Sequence, residues 1–174
     1  ETLTEDLAWL LGYLAGDGHV TRHKVLIACG LDEDLARHST EILTRLFGVT
    51  PRIFEEPRLH PEDEGLVYEV IVWKAALFEY LTSLGVFGRQ TWTVPNSVLE
   101  HTDDRIRGAW ISGLADADGS FTWEKKHKWV SITSTNESSL RQVRSMLEDL
   151  GISSRWSVDQ RNPRLCFDIL ISHR

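Results

Sequence analysis

One eleven-residue pattern occurs twice in the chain, and it constrains the fold more than any other feature. Residues 8–18 read AWLLGYLAGDG and residues 109–119 read AWISGLADADG, with Ala, Trp, Gly, Asp and Gly at matching positions. Each segment predicts an apolar helix that ends at an Asp-Gly pair, because glycine is a preferred helix stop. The negative end of a helix dipole repels a carboxylate. Asp17 and Asp118 at these two matched ends therefore indicate that a cation offsets the repulsion.

The similarity between the two parts of the chain extends well beyond this pattern. Leu66–Val72 matches Leu165–Ile171 at every position by identity or conservative exchange, and Leu46–Val49 matches Asp149–Ile152. The sequence offset between matched blocks changes by only a few residues, as insertions in loops would produce. We therefore interpret the chain as a tandem duplication.

Each half is predicted to be α+β with the element order αββαββα. In the first half we predict helices at 4–15, 32–47 and 75–84, a hairpin at 20–29, and strands at 49–55 and 66–73. In the second half we predict helices at 104–115 and 136–150, a hairpin at 120–134, and strands at 153–158 and 165–171. The corresponding domains are a first half at 1–94, a linker at 95–103 and a second half at 104–174, which we expect to lack its last helix.

Composition restricts the function classes that need to be considered. The apolar runs are too short for a membrane span, and two cysteines far apart in sequence indicate neither a disulfide framework nor a zinc site. We expect Cys29 and Cys166 to lie in the core and the protein to be cytosolic, or organellar if the gene is organelle-encoded. The net charge of −7 opposes nucleic-acid binding, but residues 118–174 carry nine Lys or Arg against seven Asp or Glu.

The duplicated helices predict a specific arrangement. Gly12 and Gly113 have no Cβ, so two helix backbones can approach closely about a pseudo-two-fold axis. That approach brings Asp17 and Asp118 together, where either a proton or a hard divalent cation could balance the charge. Two acids on a two-fold axis match the two antiparallel strands of duplex nucleic acid.

The two segments LLGYLAGDG at 10–18 and ISGLADADG at 111–119 resemble the paired signature of the LAGLIDADG homing endonucleases in their monomeric two-motif form. The second segment is the closer match, because the first has Ala15 in place of the earlier Asp. The segment Leu77–Pro95 is similar to the linker region of intein-borne members. The resemblance covers nearly the whole chain.

The resemblance implies a site-specific double-stranded DNA endonuclease with two curved sheets that form a DNA-binding saddle. It implies that Asp17 and Asp118 bind Mg²⁺, helped by the backbone carbonyls of Gly16 and Ala117. It also implies that Mn²⁺ substitutes, that Ca²⁺ binds without supporting cleavage, and that the products carry 3′ overhangs. The expected partner is a long pseudo-palindromic or asymmetric duplex bound by a monomer. Active members carry a basic residue near the cleavage pocket, a role that the resemblance assigns to Arg89.

The same resemblance predicts that outward-facing basic residues of the two sheets contact DNA. The candidates are Arg22, Lys24, Arg52, Arg58, Lys125, Lys126, Lys128, Arg155, Arg161 and Arg164. Arg and Lys can read guanine edges or hold phosphates, and the sequence leaves open which residue does which.

Other readings of the sequence remain. A DNA-binding regulator or an RNA maturase on the same fold would bind nucleic acid without cleaving DNA, and an acidic interaction module would bind none. Trp9 and Trp110 are expected in the core. Asp116 has no counterpart in the first half, and a local cap or a solvent-facing role is weighed at least equally with a catalytic one.

Overall fold

The computed structural model describes residues 3–57, 65–88, 91–124, 127–159 and 166–172. The helices are α1 (Glu5–Asp17), α2 (Glu33–Phe47), α3 (Ala75–Leu84), α4 (Asn96–Leu99), α5 (Asp104–Asp118) and α6 (Glu137–Asp149). The strands are β1 (Gly18–Val20), β2 (Val25–Gly30), β3 (Arg52–Pro57), β4 (Leu66–Val72), β5 (Gly119–Glu124), β6 (His127–Ser134), β7 (Ser154–Asp159) and β8 (Cys166–Ser172). This order confirms the α+β prediction with its two related halves.

Local capping explains where the helices begin and end. The Thr4 hydroxyl accepts a hydrogen bond from the Leu7 amide, and the Asp32 carboxylate accepts one from the Leu35 amide at 2.9 Å, as expected of N-caps. Gly48 ends α2 in the left-handed conformation, with φ of 58°.

Two features of the helices differ from the prediction. Helices α1 and α5 continue past the predicted stops at Ala15 and Ala115 to the aspartates themselves. The short helix α4 in the linker was not predicted; it forms directly after Pro95, whose carbonyl accepts from the amides of Val98 and Leu99. A single turn has too few residues to show a helical period.

The two sheets have the same topology. The strand order is β1-β2-β4-β3 in the first half and β5-β6-β8-β7 in the second, and all neighbours are antiparallel. The hairpins differ in length: β1 and β2 share three residue pairs, whereas β5 and β6 share six. At about 3.3 Å per residue, the first hairpin is therefore roughly 10 Å shorter.

Each sheet has one face covered by helices and one face directed away from them, which we call the open face. Ile27, Val70, Ile132 and Ile169 are fully buried and define the helix-covered faces. Successive strand residues alternate between faces, so the residues next to them belong to the open faces. Cys29 lies in the core as predicted, but Cys166 is only partly buried. The prediction for Cys166 was wrong because it alternates with Phe167, which takes the core position at that end of β8.

The core is centred on the paired helices and the linker that follows α3. Trp9 and Trp110 are 8% and 0% exposed, which confirms their predicted core positions. Trp92, in the segment between α3 and α4, is also fully buried, with its ring centroid 6.0 Å from that of Trp110. Within the described residues, no helix is both long and apolar enough to cross a lipid bilayer.

Candidate functional site

The site is built on the closest contact between the two halves, the crossing of α1 and α5. A Cβ placed on Gly12 would lie 2.0 Å from the Trp110 carbonyl oxygen, and one placed on Gly113 would lie 2.0 Å from the Trp9 carbonyl oxygen. No side chain fits at either point, so each helix backbone rests directly on the other. The reciprocal contacts confirm the predicted close approach and the pseudo-two-fold relation between the helices.

The two helices end side by side, with Asp17 as the last residue of α1 and Asp118 as the last residue of α5. The Asp118 carboxylate lies over the backbone of Gly16: a Cβ on Gly16 would be 3.1 Å from its Cγ and 3.2 Å from its Oδ2. The same Cβ would be 2.6 Å from the Cβ of Ala117. Asp118 is half-buried and Asp17 is exposed. The structure therefore brings together all four predicted metal-site residues.

The carboxylates near the helix ends affect the pKa of a tyrosine in the first-half core. The Tyr13 hydroxyl donates a hydrogen bond to the Ala28 carbonyl at 2.8 Å. Burial raises the pKa of Tyr13 most strongly, followed by the charges of Cys29, Asp17 and Asp116. Carboxylates from both α1 and α5 thus act on a single phenol, which stays neutral at physiological pH.

The donor set at the helix ends fits a hard divalent cation. The described residues contain no cluster of three or more His, Cys, Asp or Glu that could hold a metal ion. The donors available are the carboxylates of Asp17 and Asp118 and the carbonyls of Gly16 and Ala117. Mg²⁺ typically takes one or two carboxylates and completes its octahedral shell with water and substrate phosphate oxygens. Glycine at position 16 keeps the Asp118 carboxylate clear of a neighbouring side chain, because a Cβ there would lie 3.2 Å from its Oδ2.

Asp116 contacts the other half of the protein. Its Oδ2 accepts a hydrogen bond from the Trp9 indole at 2.8 Å, across the helix pair. The residue itself is exposed, as expected, but it ties α5 to α1 and does not act as a local cap. Sequence reasoning missed this role because the two residues are 107 positions apart.

Two of the predicted DNA-binding residues occupy related positions on the open faces. Arg52 pairs with Ile71, which pairs with Leu26, and Arg155 pairs with Leu170, which pairs with Ser131. Both arginines are exposed and lie on the outermost strand of their sheets. The fold therefore places one of these cations at the equivalent edge of each sheet.

Three other candidates lie at the hairpin ends. Arg22 is exposed in the turn between β1 and β2, and Lys24 closes that turn. Lys128 lies on the opposite face of its sheet from Arg155, because it shares its side of β6 with Ile132. Its ammonium sits 3.5 Å from the centre of the Trp123 ring. Arg58, Arg89, Lys125, Lys126, Arg161 and Arg164 lie outside the described residues.

The open faces also carry acids that the sequence analysis did not select. Glu69 pairs with Ala28, and Asp168 pairs with Thr133, whose hydroxyl donates to Asp168 Oδ1 at 2.6 Å. The signal was present in the sequence: the two acids occupy the same place in the matched strands Leu66–Val72 and Leu165–Ile171. Period-two alternation between apolar neighbours assigns both to the open face.

Comparison with known proteins agrees with the geometry. The family described as "LAGLIDADG-like domain" matches residues 4–85 and 105–174, one stretch in each half. The chain belongs to this family. Both matched stretches contain the helix that ends at an aspartate, so the two motifs recognised in the sequence are those that the family shares.

Several curated proteins contain a similar segment. The replicative DNA helicase DnaB of Rhodothermus marinus is 30% identical over 162 residues, which cover 88% of this chain and 17% of that protein. One polypeptide of the A-type ATP synthase of Pyrococcus abyssi is 28% identical, covering 87% of this chain and 14% of that protein. The replication factor C small subunit of Methanocaldococcus jannaschii is 29% identical, covering 97% and 9%. The LAGLIDADG-like chain thus spans a small part of each relative.

Solved structures share the whole fold. The homing endonuclease I-DmoI in complex with DNA and manganese has a TM-score of 0.65 at 21% identity, covering 98% of this chain and 91% of that chain. I-WcaI bound to its DNA recognition sequence has a TM-score of 0.65 at 14% identity, covering 99% and 77%. Full-length DUF199/WhiA from Thermatoga maritima has a TM-score of 0.66 at 16% identity, covering 97% and 51%. I-DmoI has also been solved with DNA and calcium.

Proposed function

We propose that this LAGLIDADG-like chain is a site-specific DNA endonuclease that hydrolyses one phosphodiester in each strand of a duplex. The observation that carries the proposal is the meeting of Asp17 and Asp118 at a glycine-mediated crossing of pseudo-symmetric helices. Each acid comes from one half, as two antiparallel strands require. Both acids belong to one chain, so a monomer suffices.

The reaction is hydrolysis at phosphorus. A water oxygen bonds to phosphorus as the bond from phosphorus to the 3′ oxygen breaks; the attacking water releases one proton to solvent and the departing 3′ oxygen takes up one from solvent, which leaves a 5′ phosphate and a 3′ hydroxyl. Asp17 and Asp118, with the Gly16 and Ala117 carbonyls, hold divalent ions, Mg²⁺ first and Mn²⁺ as a substitute. When bound, such ions lower the pKa of water and neutralise phosphate charge. Arg89 supplies a positive charge near the phosphate that is cut. The two cuts are staggered across the minor groove and therefore leave 3′ overhangs.

The open faces of the two sheets bind the duplex. Arg52 and Arg155 contact the duplex from equivalent positions of the two sheets, and Arg22 and Lys24 contact it from the short hairpin. The remaining proposed contacts are Arg58, Lys125, Lys126, Arg161 and Arg164; Lys128, on the helix-covered side of β6, is no longer among the open-face contacts. The structure of I-DmoI with DNA supports this assignment through the shared fold.

The relatives support an origin as an inserted element. A helicase, an ATP synthase polypeptide, a replication factor and a ribonucleoside-diphosphate reductase have unrelated functions, yet each contains a segment similar to this chain. The segment makes up only 9–17% of these proteins. A module shared across unrelated hosts is separable from their functions, which favours an intein-borne endonuclease.

A second candidate is a DNA-binding protein or RNA maturase that does not cleave. The net charge of −7 and the acids on the open faces weaken contacts with phosphate. A protein that only binds nucleic acid tolerates this better than one that must hold a phosphate for cleavage. Retention of both aspartates favours the endonuclease, because binding alone requires neither.

Duplexes enriched from a randomised pool should be incubated with Mg²⁺ and the new ends sequenced. Paired cuts at one motif support the endonuclease, and Asp17→Asn and Asp118→Asn should each abolish them or leave only nicks. Glu41→Gln, which removes one exposed charge on α2, is the matched control and should cut normally. Enrichment of a bound motif without cuts would establish the second candidate.

A further inference from the structure

The two open faces present different chemistry to a duplex. We propose that the first-half sheet recognises thymine methyl groups, so that its half-site is thymine-rich, whereas the second-half sheet recognises its half-site through hydroxyl groups. This inference rests on the proposed binding of duplex DNA to the open faces, but it does not require cleavage.

Strand register identifies equivalent positions in the two sheets. Ala28 pairs with Glu69 as Thr133 pairs with Asp168, and Glu56 pairs with Val67 as Asp159 pairs with Cys166. The charged positions of the two open faces match in sign. The matched charged residues are Arg52 with Arg155, Glu56 with Asp159, and Glu69 with Asp168. The two open faces therefore carry the same arrangement of one positive and two negative residues.

Four of the positions beside these charges differ in one direction. At each of them an apolar residue of the first half stands where the second half has a hydroxyl. These pairs are Leu26 with Ser131, Ala28 with Thr133, Phe54 with Ser157, and Trp73 with Ser172. Trp73 directly follows β4 and continues its alternation, as Ser172 does at the end of β8. One exchange runs the other way: Trp129, which pairs with Ser172, stands where the first half has Lys24.

The apolar positions of the first half are accessible and packed against one another. Phe54 and Trp73 are 38% and 54% exposed, and their rings meet edge to face with centroids 5.8 Å apart. The Arg52 guanidinium lies 5.9 Å from the centre of the Trp73 ring. Leu26 and Ala28 are half-buried beside them. The first open face thus carries Leu26 and Ala28 on β2 and the Phe54–Trp73 pair across the sheet, with Glu69 between Ala28 and Phe54.

The major groove offers one apolar group for such a surface, the C5 methyl of thymine. Ala, Phe and the methyl group of Thr contact this methyl, whereas Ser hydroxyls bond to several bases, so the contrast between the two faces rests on Leu26, Phe54 and Trp73. Glu and Asp accept from the cytosine amino group, and the matched acids make this contact available to both halves. What distinguishes the first half-site is therefore thymine. Because the hairpin of β1 and β2 is short, most of the surface that the first sheet offers to DNA comes from β2, β3 and β4, where the apolar residues lie.

Uracil tests this directly, because it differs from thymine only by the missing methyl. Duplexes enriched by the wild-type protein should be bound in the presence of Ca²⁺, with thymines replaced by uracil in one half-site at a time. We expect affinity to fall about fourfold for each methyl lost in the first half-site, from the transfer free energy of one buried methyl group. Replacement in the second half-site should leave affinity unchanged.

Two reciprocal variants assign the half-sites and control for misfolding. Leu26→Ser should remove part of the uracil effect from the first half-site, and Ser131→Leu should create one in the second. Equal uracil effects in both half-sites, or none in either, would overturn the inference while leaving DNA binding intact. Failure to enrich any duplex at low salt would overturn the proposed function as well, so the two failures are distinguishable.

Discussion

The indole of Trp9 donates a hydrogen bond to the Asp116 carboxylate at 2.8 Å, joining α1 of the first half to the last turn of α5. The pseudo-symmetric contact does not exist. Ala15 stands at the position related to Asp116, and the Trp110 indole nitrogen is buried without a hydrogen-bond partner among the described residues. This indole-to-carboxylate hydrogen bond is therefore present on only one side of the axis.

This hydrogen bond predicts a measurable coupling. Trp9→Phe and Asp116→Ala should each lower the free energy of unfolding, with a coupling energy of about 1 kcal/mol between them, because the acceptor is charged but exposed. Urea unfolding of both single variants and the double variant measures this energy. Strictly additive effects would show that the hydrogen bond contributes nothing.

The helix crossing predicts that one added methyl group has opposite effects at two glycines. Gly12→Ala would place a Cβ 2.0 Å from the Trp110 carbonyl oxygen and should lower the free energy of unfolding by about 3 kcal/mol or more. Gly108→Ala, in α5, meets no atom within 4 Å and should stabilise the protein by up to about 1 kcal/mol. Thermal unfolding compares the two, and similar midpoints would contradict the observed crossing.

Gly16 should matter for both stability and cleavage. Gly16→Ala adds a Cβ 2.6 Å from the Ala117 Cβ and 3.1 Å from Asp118 Cγ. The carboxylate can rotate away but the Ala117 Cβ is fixed to its helix, so we expect a stability loss of about 2 kcal/mol and a fall in single-turnover cleavage of about 100-fold. Adding Ala117→Gly relieves one contact and should recover part of the rate. Cleavage of Gly16→Ala at the wild-type rate would argue against Asp118 as a metal ligand.

The linker should depend on its attachment to α6. The Trp92 carbonyl accepts from Asn136 Nδ2 at 2.7 Å and from Ser139 Oγ at 2.6 Å. Ser139→Ala should lower the free energy of unfolding by about 1 kcal/mol and speed proteolysis of the linker. Ser138→Ala is the matched control, since the Ser138 hydroxyl bonds only locally to Asn136. Equal proteolysis of both variants would contradict the attachment.

Cys29 predicts a pH dependence of stability. Burial raises the pKa of its thiol from 9.0 to about 11. Its contribution is therefore complete below pH 9 and is lost as pH rises through 11, because the unfolded chain releases the proton first. Chemical unfolding of wild type and Cys29→Ala should be compared from pH 7 to 11. The difference between their free energies of unfolding should be constant up to about pH 9 and should then decrease. A constant difference would show that the thiol ionises equally in both states.

The sequence was sufficient for the features that depend on neighbouring residues. The duplication, the element order, the caps at Thr4 and Asp32 and the stop at Gly48 follow from periodicity and turn chemistry, which act over a few residues. The repeated motif also indicated that Gly12 and Gly113 permit a close approach and that Asp17 meets Asp118. Symmetry made this long-range prediction possible, because each half repeats the pattern of the other.

Only the tertiary structure decided the contacts that break this symmetry. The bond from Trp9 to Asp116, the burial of Trp92 and the placement of Asp118 over Gly16 join residues far apart in sequence. The assignment of Lys128 to the helix-covered face depends on strand register, since a shift of one residue exchanges the two faces of a strand. Local patterns specify each element and its apolar side, whereas packing between elements determines which side chains meet.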